Sequence, residues 1–237
     1  MINGLDLFSG IGGISLALQE WVKPVAYCEN DKYAQGVILS RIATGQLVNA
    51  PIWDDVKTLT GLHLPTVDII YGGFPCQDIS TAGNGIGLAG ERSGLFFEIL
   101  RLAKEIKPKF IFLENVFAIR TRGLNRVGEE LASLGYDCRW TIISAKEVGA
   151  CHKRSRWFLL AHARSNSLER LEQHKRTWAQ YSPGIDSNLS KDWKIYVDKF
   201  PRVDDGLSIP VDRIRGLGNA VVPLQAKEAF MRLMGLK

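Results

Sequence analysis

The turn around Cys76 has the composition of a nucleophilic site. Residues 72–77 read Gly-Gly-Phe-Pro-Cys-Gln and directly follow a predicted strand. A cysteine that follows proline on a glycine-flanked turn is expected to be exposed. A thiolate nucleophile needs such access, together with nearby positive charge or amide dipoles. The alternative role, that of a small buried hydrophobe, fits Cys28 and Cys138 better than it fits Cys76.

A second candidate site is a glycine-rich turn near the N-terminus. It follows a predicted strand, opens a predicted helix and reads Phe8-Ser9-Gly10-Ile11-Gly12-Gly13. Glycine allows the backbone to approach a ligand closely and to adopt positive φ, although such turns also serve packing alone. The dinucleotide fingerprint needs a third glycine at position 15, where this chain has Ser15. This departure and the Pro75-Cys76-Gln77 turn together argue against a dehydrogenase.

Acidic residues follow the next two predicted strand ends. Glu29 comes about twenty residues after the glycine turn, where a carboxylate can accept both ribose hydroxyls of a nucleoside. Asp54 and Asp55 are placed to meet an adenine amino group. Each acid taken alone also fits a helix cap or a solvated charge, but their position after the glycine turn favours a nucleoside ligand.

Alternating strands and helices must position these residues. Apolar runs predict strands, and helical spacing of apolar residues predicts helices, one of them capped by Asp31. The predicted strands cover residues 2–8, 24–28, 67–71, 110–113, 139–143 and 157–161. The predicted helices cover residues 14–21, 31–41, 94–106, 125–134 and 220–234. This order predicts a parallel sheet with right-handed crossovers, whose ligands bind at the carboxyl ends of the strands.

The composition is that of a globular protein with a full core, because 46% of its 237 residues are hydrophobic and 23% are charged. No apolar run reaches the ~18 residues of a membrane span, and the N-terminus lacks the pattern of a signal peptide. The four cysteines form no C-x-x-C pair, which argues against structural zinc. We therefore expect no metal, no membrane partner and a cytoplasmic location.

Positive charge is concentrated in one part of the chain. The net charge is +5, and residues 139–176 contain nine Lys or Arg against three Asp or Glu. This basic stripe accounts for the whole excess. Such a stripe is the expected footprint of a polyanionic partner, although a solvated face has the same appearance.

Taken together, five motifs resemble those of the DNA cytosine-5 methyltransferases, in the same order along the chain. The chain resembles the short phage or prophage type of that family over residues 4–160 and 213–237, which implies a bacterial or phage-infected host cell. The motifs are residues 8–13, Pro75-Cys76-Gln77, Glu114-Asn115-Val116, Arg154-Ser155-Arg156 and Gly218-Asn219-Ala220-Val221-Val222-Pro223.

The resemblance implies an α/β, Rossmann-like S-adenosylmethionine-dependent methyltransferase fold. Its mostly parallel sheet has helices on both faces, and a small irregular recognition segment is added. S-adenosyl-L-methionine would be the methyl donor, S-adenosyl-L-homocysteine the product, and double-stranded DNA the partner. The resemblance places Cys76 as nucleophile, Glu114 at N3 of the target base, and Arg154 and Arg156 at the base, its phosphate or the catalytic loop. The implied donor site comprises Phe8, Gly10, Gly12, Gly13, Glu29, Asp55, Val56, Leu95 and Asn219.

The reaction itself requires these residue types. C5 of cytosine is a poor nucleophile, and addition of a thiolate at C6 makes it enamine-like. Negative charge then develops toward N3, where a protonated Glu114 stabilises it. The added thiolate must reach the face of the base, so the cytosine has to leave the duplex.

The resemblance divides the chain into three parts. Residues 1–161 form the catalytic, donor-binding domain, residues 162–212 a reduced target-recognition segment, and residues 213–237 a return to the catalytic domain. We expect a monomer, with a partner chain as an alternative source of target recognition. Two alternative functions are an RNA cytosine-5 methyltransferase and a degenerate, non-catalytic DNA- or donor-binding homologue.

Overall fold

The computed structural model describes residues 1–75, 94–164 and 220–236. Cys76, Asn219 and nearly all of the predicted recognition segment, residues 162–212, lie outside this described part. The division into three parts therefore stays a prediction. Within the described ranges, no helix is long and apolar enough to cross a membrane.

The described elements alternate between strands and helices, as predicted. The strands are β1 (Ile2–Leu7), β2 (Val22–Cys28), β3 (Ile52–Trp53), β4 (Ile69–Gly73), β5 (Phe110–Val116), β6 (Tyr136–Ser144) and β7 (Ser155–Ala163). The helices are α1 (Gly13–Leu18), α2 (Lys32–Ala43), α3 (Leu95–Ile106), α4 (Ile119–Arg122), α5 (Leu124–Ser133) and α6 (Pro223–Met234). Two short 3-10 helices cover Gly61–His63 and Ala145–Val148.

The strands of the described residues form one sheet in the order β3-β2-β1-β4-β5-β7-β6. Strands β1 to β5 pair in parallel, which confirms the mostly parallel sheet. Strand β7 differs, because it lies between β5 and β6 and runs antiparallel to both. The connection from β6 to β7 contains only a 3-10 helix and a bend, so the chain reverses direction without a crossover helix.

Helices cover both faces of the sheet, as predicted. Alternate strand residues point to opposite faces, so Leu5 and Leu7 of β1 pack with Phe96 of α3 on one side. On the other side, Phe112 of β5 packs edge-to-face against Phe230 of α6, with ring centroids 5.2 Å apart. The sheet is therefore the central layer of a three-layer core.

Local signals account for one boundary each of helices α2, α3 and α6. Asp31 caps α2 as predicted, because its carboxylate accepts a hydrogen bond from the Ala34 amide at 2.9 Å. Helix α3 ends where Lys107 adopts a left-handed conformation, one residue before Pro108. The prediction of a helix from residue 220 was wrong by one turn. Helix α6 begins at Pro223, since proline fits the first helical position and Val222 before it is extended.

Candidate active site

The predicted site residues within the described ranges gather at one edge of the sheet. The glycine turn follows β1, Glu29 follows β2, the Asp54-Asp55 pair follows β3, and Phe74 follows β4. Glu114 lies near the end of β5, directly opposite Gly73 of β4 in the parallel register. Because these five strands run in the same direction, their carboxyl ends bring together residues up to 106 positions apart in the chain.

The glycine turn is shaped by a series of left-handed backbone conformations. Phe8 has φ 53°, Gly10 has φ 54° and Gly12 has φ 81°. The Gly12 amide closes the turn by donating to the Ser9 carbonyl at 2.8 Å. Phe8 is not a glycine, so its positive φ costs conformational energy. Such strained residues cluster at functional sites.

Glu29 is joined to this turn by a hydrogen bond. The Gly10 amide donates to Oε2 of Glu29 at 2.7 Å, and the Asp31 amide donates to Oε1 at 2.9 Å. Each carboxylate oxygen has a second lone pair for another donor. The half-buried Glu29 is therefore fixed at the mouth of the turn and still able to accept two hydroxyl groups.

The three glycines of the turn have different surroundings. A Cβ added to Gly10 would meet nothing within 4 Å, so that side of the turn is open. A Cβ on Gly12 would come within 2.7 Å of the Leu47 side chain, and one on Gly13 within 2.8 Å of Val221. Gly12 and Gly13 thus allow close packing inside the protein, whereas Gly10 leaves space for a ligand.

The next strand end supplies Asp55, Val56 and Trp53. Asp55 is exposed, and its carboxylate accepts from the Lys57 amide at 2.9 Å. Val56 is buried. Trp53, which the sequence analysis did not select, is half-buried at the end of β3 and stacks on His63. Its only signal in the sequence is an aromatic residue directly before two acids. Leu95, also predicted for the donor site, is half-buried as the first residue of α3.

Glu114 and Arg156 form an ion pair inside the protein. Nε of Arg156 lies 2.9 Å from Oε1 of Glu114, and the two side chains expose only 16% and 13% of their surface. Burial raises the pKa of Glu114 from 4.5 to about 7, although Arg156 and Arg154 act in the opposite direction. Glu114 is therefore able to hold a proton near neutral pH and to release it to a neighbouring group.

Gly73 leaves space for the Glu114 carboxylate, and Asn115 fixes the backbone of Phe74. A Cβ on Gly73 would come within 2.6 Å of Oε2 of Glu114, so any larger residue there would displace the carboxylate. The buried Asn115 side chain donates to the Phe74 carbonyl at 3.3 Å. Two residues before Cys76, the chain is thus hydrogen-bonded to the strand that carries Glu114.

Arg154 is positioned through its backbone and its side chain. It has φ 23°, a conformation that non-glycine residues rarely adopt. Nη2 of Arg154 donates to the Ala220 carbonyl at 2.8 Å. In return, Nε2 of the fully buried Gln225 donates to the Arg154 carbonyl at 2.8 Å and to the Ile143 carbonyl at 2.5 Å. Sequence reasoning missed Gln225, whose signal is a polar residue inside the apolar face of α6.

A second buried polar cluster lies beneath the glycine turn and was also missed. Ser15 donates to Oδ2 of Asp6 at 2.5 Å, and its oxygen lies 2.8 Å from the Tyr71 hydroxyl. Burial raises the pKa of Asp6 from 3.8 to about 7, against the lowering effect of the hydrogen bonds from Ser15 and Ser9. Ser15 stands where a dinucleotide fingerprint has its third glycine, and here it joins α1 to β1 and β4.

The other described cysteines differ in accessibility. Cys28 is buried and Cys138 is half-buried. Burial raises the pKa of the Cys28 thiol to about 12 and that of Cys138 to about 11. Both thiols therefore stay protonated at neutral pH. Cys151 is exposed in the bend between β6 and β7.

The arginines in the described part of the basic stripe, residues 139–164, have different partners and do not form a single basic surface. Arg154 and Arg156 turn toward Glu114 and Ala220, as described above. Nε of Arg164 lies 2.9 Å from Asp137 in an exposed ion pair. Residues 165–176 lie outside the described ranges. Within the described part of the chain, no three His, Cys, Asp or Glu side chains are grouped to hold a metal ion.

The sequence matches one family model and several curated proteins. The family model for C-5 cytosine-specific DNA methylase matches residues 2–200. The chain is 38% identical over 159 residues to the Type II methyltransferase M.CviJI of Paramecium bursaria Chlorella virus IL3A, covering 66% of this chain and 42% of that protein. It is 32% identical over 173 residues to M.HhaI of Haemophilus parahaemolyticus, covering 71% and 51%. The chain thus spans about half the length of the curated relatives it matches.

Solved structures include a similar protein from a prophage. A putative DNA modification methyltransferase encoded within a prophage of E. coli superimposes with a TM-score of 0.56 at 26% identity, covering 70% of this chain and 47% of that one. The Spodoptera frugiperda DNMT2 structure also gives a TM-score of 0.56, at 20% identity, with 71% and 51% covered. At that level of identity, the second match concerns the fold alone.

Proposed function

Because the chain belongs to the C-5 cytosine-specific DNA methylase family, we propose that it transfers a methyl group to C5 of a flipped-out cytosine in DNA. The observation that carries this proposal is the largely buried Glu114–Arg156 pair, with a Glu114 pKa of about 7, at the carboxyl-end edge of the sheet beside Gly73 and Phe74. A carboxyl group that is half protonated at neutral pH suits a base whose N3 gains charge during the reaction.

The proposed reaction begins with the Cys76 thiolate. Its sulfur forms a bond to C6, and the C5–C6 π electrons move into the ring system so that C5 becomes nucleophilic. Glu114 donates its proton to N3 and neutralises the charge that develops there. After C5 is methylated, a water molecule takes the C5 proton, the C5–C6 double bond re-forms and Cys76 leaves as thiolate, while N3 returns its proton to Glu114. Each bond formed to the enzyme is thus broken again within one turnover.

Arg156 and Arg154 have positioning roles in this proposal. Arg156 holds one oxygen of Glu114, while the other oxygen faces Gly73, where no side chain intervenes. Burial keeps the proton on Glu114 despite this neighbour. Arg154 is hydrogen-bonded to Ala220, the residue after Asn219, and so connects the catalytic edge to the donor side.

S-adenosyl-L-methionine would supply a methyl group on a sulfonium centre, with S-adenosyl-L-homocysteine as product. The residues present fit such a donor, because the turn is open at Gly10 and each carboxylate oxygen of Glu29 accepts one backbone amide and has capacity for a second donor. In this proposal Phe8, Gly10 and Glu29 contact the ribose and amino-acid end, and Gly12 and Gly13 let the turn that holds this end pack closely on the protein. Asp55 and Val56 hold the adenine, and Leu95 and Asn219 complete the pocket.

Labelled donor and a mixture of DNA and RNA test the proposal. Incorporation into DNA alone is the expected result, and incorporation into RNA alone would assign the chain to the RNA alternative. Donor or DNA binding without incorporation would make it a non-catalytic homologue. Cys76→Ser is expected to abolish incorporation, whereas Cys151→Ser, which removes an exposed thiol elsewhere, is the matched control. With 5-fluorocytosine in the DNA, only a chain with Cys76 should form a covalent adduct.

The size of the recognition segment bears on how specific the proposed enzyme is for its target sequence. A specific DNA-binding module buries roughly 600–1,000 Å², which a mostly polar segment of about fifty residues barely provides. We expect a short recognition site or relaxed specificity from this chain alone. Bisulfite sequencing of methylated plasmid tests this, and a strict target of six or more base pairs would contradict it.

A further inference from the structure

The residues that directly follow β5 form an exposed surface that charge counting along the sequence did not single out. We call residues 117–126 the post-β5 segment; it contains α4 and the start of α5. Phe117 exposes 42% of its surface, an unusual fraction for a large hydrophobic residue. The Arg120 guanidinium lies 4.8 Å from the centroid of the Phe117 ring, within cation–π distance.

All charged residues of the post-β5 segment are arginines. Arg120, Arg122 and Arg126 are all exposed, and the sequence contains no Asp or Glu from residue 115 to residue 128. Arg126 lies 3.4 Å from Glu130 and 5.5 Å from the centre of the Phe97 ring, which ties α5 to α3. Arg120 and Arg122 both lie in α4 and are exposed to solvent.

The segment lies beside the candidate catalytic residues. Phe117 is three positions after Glu114, and Val116 before it pairs with Arg156 in the antiparallel β5–β7 register. Helix α4 thus begins at the carboxyl-end edge where Glu114 and the approach to Cys76 are found. A polymer that delivers one base to Glu114 has to pass close to this surface.

We infer that the post-β5 segment contacts backbone phosphates of the DNA strand that carries the target cytosine, with Arg120 and Arg122 as the contacting residues. This inference rests on the proposed function. Arginine presents a planar set of donors that suits phosphate oxygens, and the Phe117 ring beneath Arg120 restricts the orientation of its guanidinium. Such contacts position the duplex and read no sequence, so they remain available to a chain with a short recognition segment.

The salt dependence of DNA binding tests the inference. Each phosphate contact contributes about 0.9 to the slope of log K against log salt. The double variant Arg120→Gln/Arg122→Gln should therefore lower that slope by about two for a short duplex. Lys23→Gln/Lys104→Gln removes the same charge and is the matched control. Lys23 is exposed at the start of β2 and Lys104 near the end of α3, both toward the opposite edge of the sheet.

The outcomes separate this inference from the proposed function. If the unaltered chain neither binds nor methylates DNA, the proposed function fails. If it does both and the arginine double variant keeps the slope of the lysine double variant, the inference about the segment is overturned and the function stands. A slope change seen only with an RNA duplex of equal length would also overturn it.

Discussion

The link between α6 and Arg154 gives the sharpest structural prediction. Gln225 is fully buried and donates to the backbone carbonyls of Ile143 and Arg154 at 2.5 and 2.8 Å. Gln225→Met has nearly the same volume, so it removes the two donors without opening a large cavity. The change isolates the hydrogen bonds from the packing of the helix.

The magnitude follows from these two contacts. A buried acceptor that loses its donor costs about 1–3 kcal/mol, which gives roughly 2–6 kcal/mol for two. Some of this is offset, because Oε1 of Gln225 is buried without a partner in the described structure and disappears in the variant. We expect a net loss of about 2–4 kcal/mol. For a protein of this size each kcal/mol lowers Tm by about 2–4 °C, so the loss amounts to about 10 °C.

Thermal unfolding and kinetics together form the assay. Leu233→Met, a change of similar size in the buried face of the same helix, is the control and should cost less than about 1.5 kcal/mol. Because Gln225 holds the backbone of Arg154, kcat should fall more than the affinity for DNA under conditions where the variant is folded. If Gln225→Met has the same unfolding temperature and the same kcat as Leu233→Met, the two hydrogen bonds do not have the role described here.

Three further predictions concern the buried acids and the donor site. With Glu114 at a pKa of about 7, the rate of methyl transfer should fall as pH rises through 7. Glu114→Gln should be slower at every pH, and its rate should no longer fall around pH 7. The pKa of Asp6 rises from 3.8 to about 7 on folding, so at intermediate pH the folded state holds a proton that the unfolded state releases. The contribution of Asp6 to the free energy of unfolding should therefore fall by about 2 kcal/mol as pH rises from 5 to 7. Urea unfolding at both pH values should show that Asp6→Asn flattens this trend; an unchanged trend would contradict it. Glu29→Ala should weaken donor binding roughly tenfold to a hundredfold by calorimetry, since ribose hydroxyls lose their acceptor, and equal affinity would exclude that role.

Local patterns in the sequence determined the elements and the edge at which the site residues meet. Apolar runs located the longer strands, and Asp31 marked the start of α2, because a cap acts over three residues. Since parallel strands share a direction, locating their ends was enough to predict that Glu29 and Glu114 lie at the same edge. The two-residue strand β3 was indicated only by the acids Asp54 and Asp55 after it, and its bounds were not predicted because so short a strand has no periodicity.

Contacts between distant residues were decided only by the tertiary structure. The insertion of β7 between β5 and β6 places Arg156 against Glu114, 42 positions away, and nothing local to either residue specifies that pairing. The raised pKa values of Glu114 and Asp6 arise from burial, which depends on what the whole chain packs around them. The role of Gln225 likewise exists only because α6 docks where the carbonyls of Ile143 and Arg154 face it. The sequence by itself therefore determined which groups stand at the strand ends, whereas folding decided which of them are paired, protonated and held in place.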